Sequence, residues 1–189
     1  MKGIFMERKK IYLLFTDTGS MLTKMIKLYT KKPYNHASIV FDEQLMEVYS
    51  FGRKKPRNPF VGGFVYEDVR QGLFINARCA IYSCNVTEDQ IEKMRSFINK
   101  IEKEKHLYRY NLLGLISFII NKPLHRKNAY FCSEFVARVL NEGELLSFQK
   151  PHALISPYDL QNIEALKLEY EGQLAHLCTD LPKEYSMVI

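Results

Sequence analysis

Two periodicities of hydrophobic residues divide the chain into short elements. Residues 11–15 (Ile-Tyr-Leu-Leu-Phe) are continuously apolar and predict a buried strand, with a turn over 16–20. Met21, Leu22, Met25, Ile26 and Tyr29 recur at the spacing of one helix face, with Lys24 and Lys27 opposite, so 21–29 reads as a helix stopped before Pro33. Residues 36–41 and 45–51 predict the two strands of a hairpin turning through Asp42-Glu43-Gln44. Further strands follow over 61–69, where Gly62-Gly63 suggests a bulge or close backbone approach, and over 77–84. Thr87 and Gln90 form a capping box, and Ile91, Met94, Phe97, Ile98 and Ile101 give that helix its apolar stripe to about residue 105. Residues 108–120 read as an apolar helix or a loop leading into one. Phe135, Val136, Val139 and Leu140 predict a helix from Cys132 to about Asn141, stopping near Gly143. Ser156-Pro157 is an N-cap followed by a first-turn proline, opening a short helix to about residue 163, and 166–171 reads as a last strand. Segregated strands with flanking helices predict an α+β fold, a central mostly antiparallel sheet packed by helices. The length suits a single domain over 1–189, its core at about 10–165 and a C-terminal tail over 173–189 without pattern.

Composition narrows the class. With 47% hydrophobic and 25% charged residues, the composition is ordinary for a soluble globular protein with a full core. Cys79, Cys84, Cys132 and Cys178 form no CxxC pair and no histidine cluster has zinc spacing, so no structural metal is expected, and nothing requires a disulfide. Cys79 and Cys84 stand at odd separation in one strand and point to opposite faces. Arg8-Lys9-Lys10 ahead of 11–15 superficially resembles a signal peptide, but five apolar residues are too few. No run approaches a membrane span; the longest, 112–120, reads as a core helix or a membrane-surface patch. The expected localisation is cytoplasmic. The net charge of +6 comes from small clusters such as 53–57 and 122–127, which suit anionic partners including a membrane surface. No nucleic-acid motif and no basic stripe with interleaved aromatics is present, so nucleic acid is not an expected partner. Nothing in the sequence sets an oligomeric state.

The candidate chemistry starts at Cys132. A helix N-terminus offers unpaired N–H groups and a positive dipole end, which favour a thiolate over a thiol. A thiolate nucleophile needs a base, and the base needs an orienting partner. Of the five histidines, His36 alone begins an otherwise apolar strand, at the rim of the predicted sheet and after Pro33-Tyr34-Asn35. Glu47, between Met46 and Val48 on the second hairpin strand, is a carboxylate that needs a reason. It lies across from His36 if the hairpin turns between Phe41 and Asp42. If the turn centres on Glu43-Gln44, Glu47 keeps the same face but drifts about 13 Å along it.

Three segments in order carry a resemblance: 18–30 with Pro33-Tyr34-Asn35-His36-Ala37-Ser38-Ile39-Val40, then Tyr130-Phe131-Cys132-Ser133-Glu134-Phe135-Val136, then Ile155-Ser156-Pro157-Tyr158-Asp159-Leu160. Together, over roughly residues 10–165, they resemble the permuted NlpC/P60 group of papain-like thiol hydrolases, in which the histidine strand precedes the cysteine helix. The histidine-to-acid spacing is short of that group's usual pattern. The resemblance implies a papain-like fold, with Cys132 as nucleophile, His36 as base and Glu47 as orienting acid. It implies a cysteine hydrolase of the peptidase or amidase kind, cleaving a peptide or isopeptide bond such as one in a cell-wall peptide, with no metal or organic cofactor. The oxyanion would be held by the Cys132 N–H, with the Tyr34 or Tyr12 hydroxyl as further donor. Related acyltransferases act on lipids, so a lipid acyl ester or amide is the alternative substrate. A non-catalytic binding module on the same fold is a third reading.

Overall fold

The computed structural model describes residues 9–19, 27, 30–55, 58–111 and 127–180. The helix expected over 21–29 (residue 27 aside) and the apolar stretch 112–120 lie outside the described residues. Six strands form one sheet: β1 (Lys9–Asp17), β2 (His36–Val40), β3 (Val48–Lys55), β4 (Asn58–Tyr66), β5 (Arg78–Val86) and, last in the chain, β8 (Lys167–Gln173). Their order across the sheet is β4-β3-β2-β1-β5-β8, and every neighbouring pair is antiparallel. Two short strands, β6 (Arg109–Tyr110) and β7 (Ala129–Tyr130), pair in parallel beside it. Four α-helices have bounds within the described residues: α1 (Glu88–Lys103), α2 (Cys132–Glu142), α3 (Pro157–Gln161) and α4 (Leu174–Asp180). The fold is therefore α+β with a mostly antiparallel sheet. No helix among the described residues is long and apolar enough to cross a membrane.

The run of apolar residues in β1 has a direct cause: both faces of this strand are covered. Ile11, Leu13 and Phe15 join a core with Ala37, Ile39 and Phe51, capped by Met94 and Ile98 of α1 and Phe135, Val136 and Leu140 of α2. Tyr12 and Leu14 point the other way, into a smaller core with Val40, Val48, Ile81 and Leu174. We refer to these as the helical face and the far face. Cys79 sits in the far core and Cys84 in the helical one, the opposite placement that strand alternation demands.

The hairpin decides which residues reach the site. Ile39 faces Tyr49 and Val40 faces Val48, and the Phe41 N–H donates to the Glu47 carbonyl. The turn therefore centres on Gln44, which neither register considered from the sequence allows. Its local causes are visible. The Asp42 carboxylate accepts from the N–H groups of Gln44, Met46 and Glu47, and Leu45 takes a left-handed φ of 56° while its side chain stays buried. A shift of one residue in register exchanges the faces of every side chain that follows.

Other expectations are adjusted in detail. The capping box of Thr87 and Gln90 forms, with both reciprocal hydrogen bonds. Residues 109–110 form a strand, not the start of a helix. Gly62 marks a close approach: a Cβ there would stand 2.6 Å from the Gly52 carbonyl and 2.7 Å from Tyr110 Cβ. A seven-residue helix, α4, forms within the tail that shows no sequence pattern, anchored by the fully buried Leu174.

Candidate active site

His36 is the first residue of β2, so its imidazole stands at the rim of the sheet on the same face as Ser38 and Val40. Continuing the hairpin register places Ser50 across from Ser38, and Gly52 across from His36. The β3–β4 pairing of Ser50 with Val65, extended two residues, brings Glu67 opposite Val48, where its N–H donates to the Val48 carbonyl. Three consecutive strands thus aim His36, Ser38, Ser50 and Glu67 at one point. Gly52 lies beside this network: a Cβ there would meet Ser50 Oγ at 3.6 Å and Glu67 Oε1 at 3.7 Å, ordinary contact distances.

The distances are those of a built hydrogen-bond network. His36 Nε2 donates to Glu67 Oε1 at 2.7 Å. Ser38 Oγ donates to Glu67 Oε2 at 2.5 Å, and Ser50 Oγ donates to Glu67 Oε1 at 2.6 Å. Both serines are fully buried, and the Glu67 side chain is 8% exposed. A buried carboxylate is tolerated only when paired and hydrogen-bonded, and Glu67 has all its partners. Burial pushes its pKa up, but the His36 imidazole and the hydrogen bonds from His36, Ser38 and Ser50 outweigh that and hold it below the ordinary value. Phe74 flanks the imidazole, with ring centroids 6.3 Å apart.

Cys132 arrives from the helical face. It is the first residue of α2, whose stripe of Phe135, Val136, Val139 and Leu140 docks on the sheet; Phe135 packs 5.1 Å from Phe51 and 5.8 Å from Phe64, centroid to centroid. Ser133 Oγ donates to the Ile155 carbonyl at 2.6 Å, which ties the start of α2 to the segment leading into α3. Cys132 is 5% exposed, and its thiol reaches the Asn35 carbonyl at 4.0 Å. It lies near enough to the His36 side chain to act on its charge. With Nε2 committed to Glu67, Nδ1 is the ring nitrogen left for a second partner. Burial alone would lower the pKa of His36; the charges of Glu67 and Cys132, with the hydrogen bond to Glu67, raise it well above the ordinary 6.5. The Phe131 N-cap supplies no side-chain acceptor, so the first-turn N–H groups of α2 get no cap from it.

The structure brings together Cys132 and His36, and it corrects the third member. Glu47 does not join them. With the turn on Gln44, Glu47 lies on the helical face with Tyr49, opposite to His36. There it forms a two-pronged ion pair with Arg95 of α1, Nη2 to Oε2 at 2.6 Å, and accepts from the Tyr49 hydroxyl at 3.1 Å. The carboxylate at His36 is Glu67. Sequence reading missed it because it follows a strand edge, and it missed Ser38 and Ser50 as well. The available signal was a hydroxyl in each of two apolar strands, on the face that His36 itself uses. Neither tyrosine offered as oxyanion donor faces the thiol. The Tyr12 hydroxyl donates to Glu43 at 2.8 Å, and that of Tyr34 to Glu171 at 2.8 Å and to the Cys79 carbonyl at 3.3 Å. Burial, then these carboxylates, raises the pKa of both phenols. Among the described residues no group of three or more His, Cys, Asp or Glu side chains is disposed to hold a metal ion.

Comparisons with protein-family models, with curated proteins and with solved structures return no match. The functional reading therefore rests on the residues themselves.

Proposed function

We propose that this protein is a cysteine hydrolase acting on an amide bond, peptide or isopeptide, through Cys132, His36 and Glu67. The observation that carries the reading is the imidazole of His36 held between a helix-terminal thiol and a buried, fully hydrogen-bonded carboxylate. A structural histidine needs neither partner; a base that must receive and return a proton needs both. The same residues support the papain-like, permuted NlpC/P60 reading of the sequence, with Glu67 in place of Glu47 as the orienting acid.

The chemistry runs in two halves. The thiolate of Cys132 attacks the carbonyl carbon, and the carbonyl electron pair moves to oxygen. The tetrahedral intermediate collapses to a thioester as the C–N bond breaks, and the imidazolium of His36 gives its proton to the leaving amine. Water then attacks the thioester, His36 takes a proton from it, and the acid is released with the thiolate restored. Glu67 keeps its charge throughout; it fixes the ring's orientation and stabilises the imidazolium.

The deciding experiment compares wild type with Cys132→Ala on a panel of murein peptides and phospholipids. Release of an amine from the peptides by wild type only supports the amidase reading. Release of fatty acid from the phospholipids moves the assignment to a lipid acyl hydrolase. Iodoacetamide labelling at pH 6 adds an independent check. A Cys132 that alkylates no faster than free cysteine removes the activated nucleophile and leaves a binding module.

A further inference from the structure

Asn35 immediately precedes His36 at the start of β2, the strand against which α2 docks. Its backbone carbonyl is the group 4.0 Å from Cys132 Sγ, so its side-chain amide hangs from the residue that touches the nucleophile. Asn35 is only 7% exposed, yet its Nδ2 has no hydrogen-bond partner among the described residues. The amide oxygen is oriented from the other side by the Thr30 hydroxyl at 3.4 Å. A buried amide N–H without an acceptor costs stability, so an orphan on the residue whose carbonyl meets the thiol calls for an explanation. A second donor is already there. The backbone N–H of Cys132, as first residue of α2, has no acceptor within its helix, and Phe131 provides no cap.

We propose that Asn35 Nδ2, together with the Cys132 N–H, forms the oxyanion hole of the hydrolase. This rests on the cysteine-hydrolase reading above and supplies the donor that Tyr12 and Tyr34 do not. When the thiolate adds to the carbonyl, the electron pair displaced onto oxygen meets both N–H groups. When the C–N bond breaks, that pair returns to the carbonyl. No proton moves between Asn35 and substrate. The amide's cost in the resting fold is recovered only when an oxyanion is present, which is how preorganised donors accelerate acyl transfer.

The test uses the full chain with Asn35→Leu, which keeps volume and removes the donor, and Asn35→Ala beside it. Two probes separate two roles. Acylation by p-nitrophenyl acetate passes through an oxyanion; alkylation by iodoacetamide does not. The expected result is a fall in kcat on the ester of about 100-fold or more with little change in KM. Alkylation at pH 6 should stay close to wild type, and Tm should be unchanged or higher, because a buried unsatisfied donor has gone. An ester rate that matches wild type overturns the proposal. So does a parallel fall in acylation and alkylation, which would make Asn35 a mere support for the thiol. If wild type itself shows neither ester turnover nor fast alkylation, the hydrolase reading falls first and takes the Asn35 assignment with it.

Discussion

The contrast between Glu47 and Glu67 is one of partners, since both carboxylates lie close to strands of the same sheet. Glu47 answers a surface arginine, whose side chain is 43% exposed; Glu67 answers a buried imidazole and two buried hydroxyls. The two should respond very differently to the same substitution. Glu67→Gln leaves His36 without a counter-charge and should lower kcat by about 100-fold or more. Glu47→Gln breaks an exposed pair worth roughly 1 kcal/mol or less and should leave turnover untouched. Steady-state kinetics on the substrate found in the panel distinguishes them, and the opposite ranking would restore Glu47 to the site. Ser38 and Ser50 act on Glu67 through its charged form. Removing either donor makes the carboxylate easier to protonate, so Ser38→Ala and Ser50→Ala should each move the acid limb of the pH–rate profile upward, the double variant furthest. A limb that stays where it is in all three would show that the hydroxyls only fill space. Cys132 and His36 were legible in the sequence because each stands at the start of an element, where type and position suffice. Glu67 was not, because its role depends on two successive strand registers, and an error of one residue in either sends it to the wrong face.

Elements were legible where their signals are local. The capping box of α1 and the Ser156-Pro157 start of α3 sit within four residues of the helix they open, and both form with reciprocal hydrogen bonds. The end of α2 shows the limit of such reading. A glycine at a helix end often takes the left-handed region, but Gly143 has φ −73°, and the left-handed residue is Glu144 at 51°. The reason for glycine lies in tertiary contact: a Cβ at 143 would stand 2.5 Å from Met94 Cγ and 2.6 Å from its Cε, where α1 crosses α2. Gly143→Ala should therefore destabilise by about 1–3 kcal/mol in urea unfolding, by pushing α1 off α2. An alanine that proves neutral or stabilising would mean that Met94 swings aside and the helix contact is loose. Because α2 carries Cys132 at its far end, the same variant also reports how firmly helix docking holds the thiol on His36.

At the scale of the molecule, the site is a rivet through the sheet rim. Asn35 and Cys132 are 97 residues apart in sequence. His36 comes from the far face and the thiol from the helical one, so the contact between them forms only when both cores are in place. The sequence conveyed the order of these parts and the class of the fold, because periodicity and element order are local properties. It did not convey the sheet order, in which β5 returns to pair with β1 and β8 is added outside it. This long-range assembly makes the charges of the site a term in global stability. Glu67 has a folded pKa below its ordinary 4.5, so its contribution is complete above that value and is lost as pH falls through the lowered one. His36 has a folded pKa raised well above its ordinary 6.5, so its contribution is complete below 6.5 and is lost as pH rises toward and through the raised value. Both are fully present only between about 4.5 and 6.5, where this network should stabilise the fold most. Urea unfolding at a series of pH values would show wild-type stability declining on the alkaline side of that window. In His36→Gln that alkaline decline should be shallower, because the titrating group that links thiol to carboxylate has gone. Parallel wild-type and His36→Gln curves from pH 6.5 upward would mean that the imidazole is not held charged between Cys132 and Glu67, and the catalytic assignment would lose its electrostatic basis.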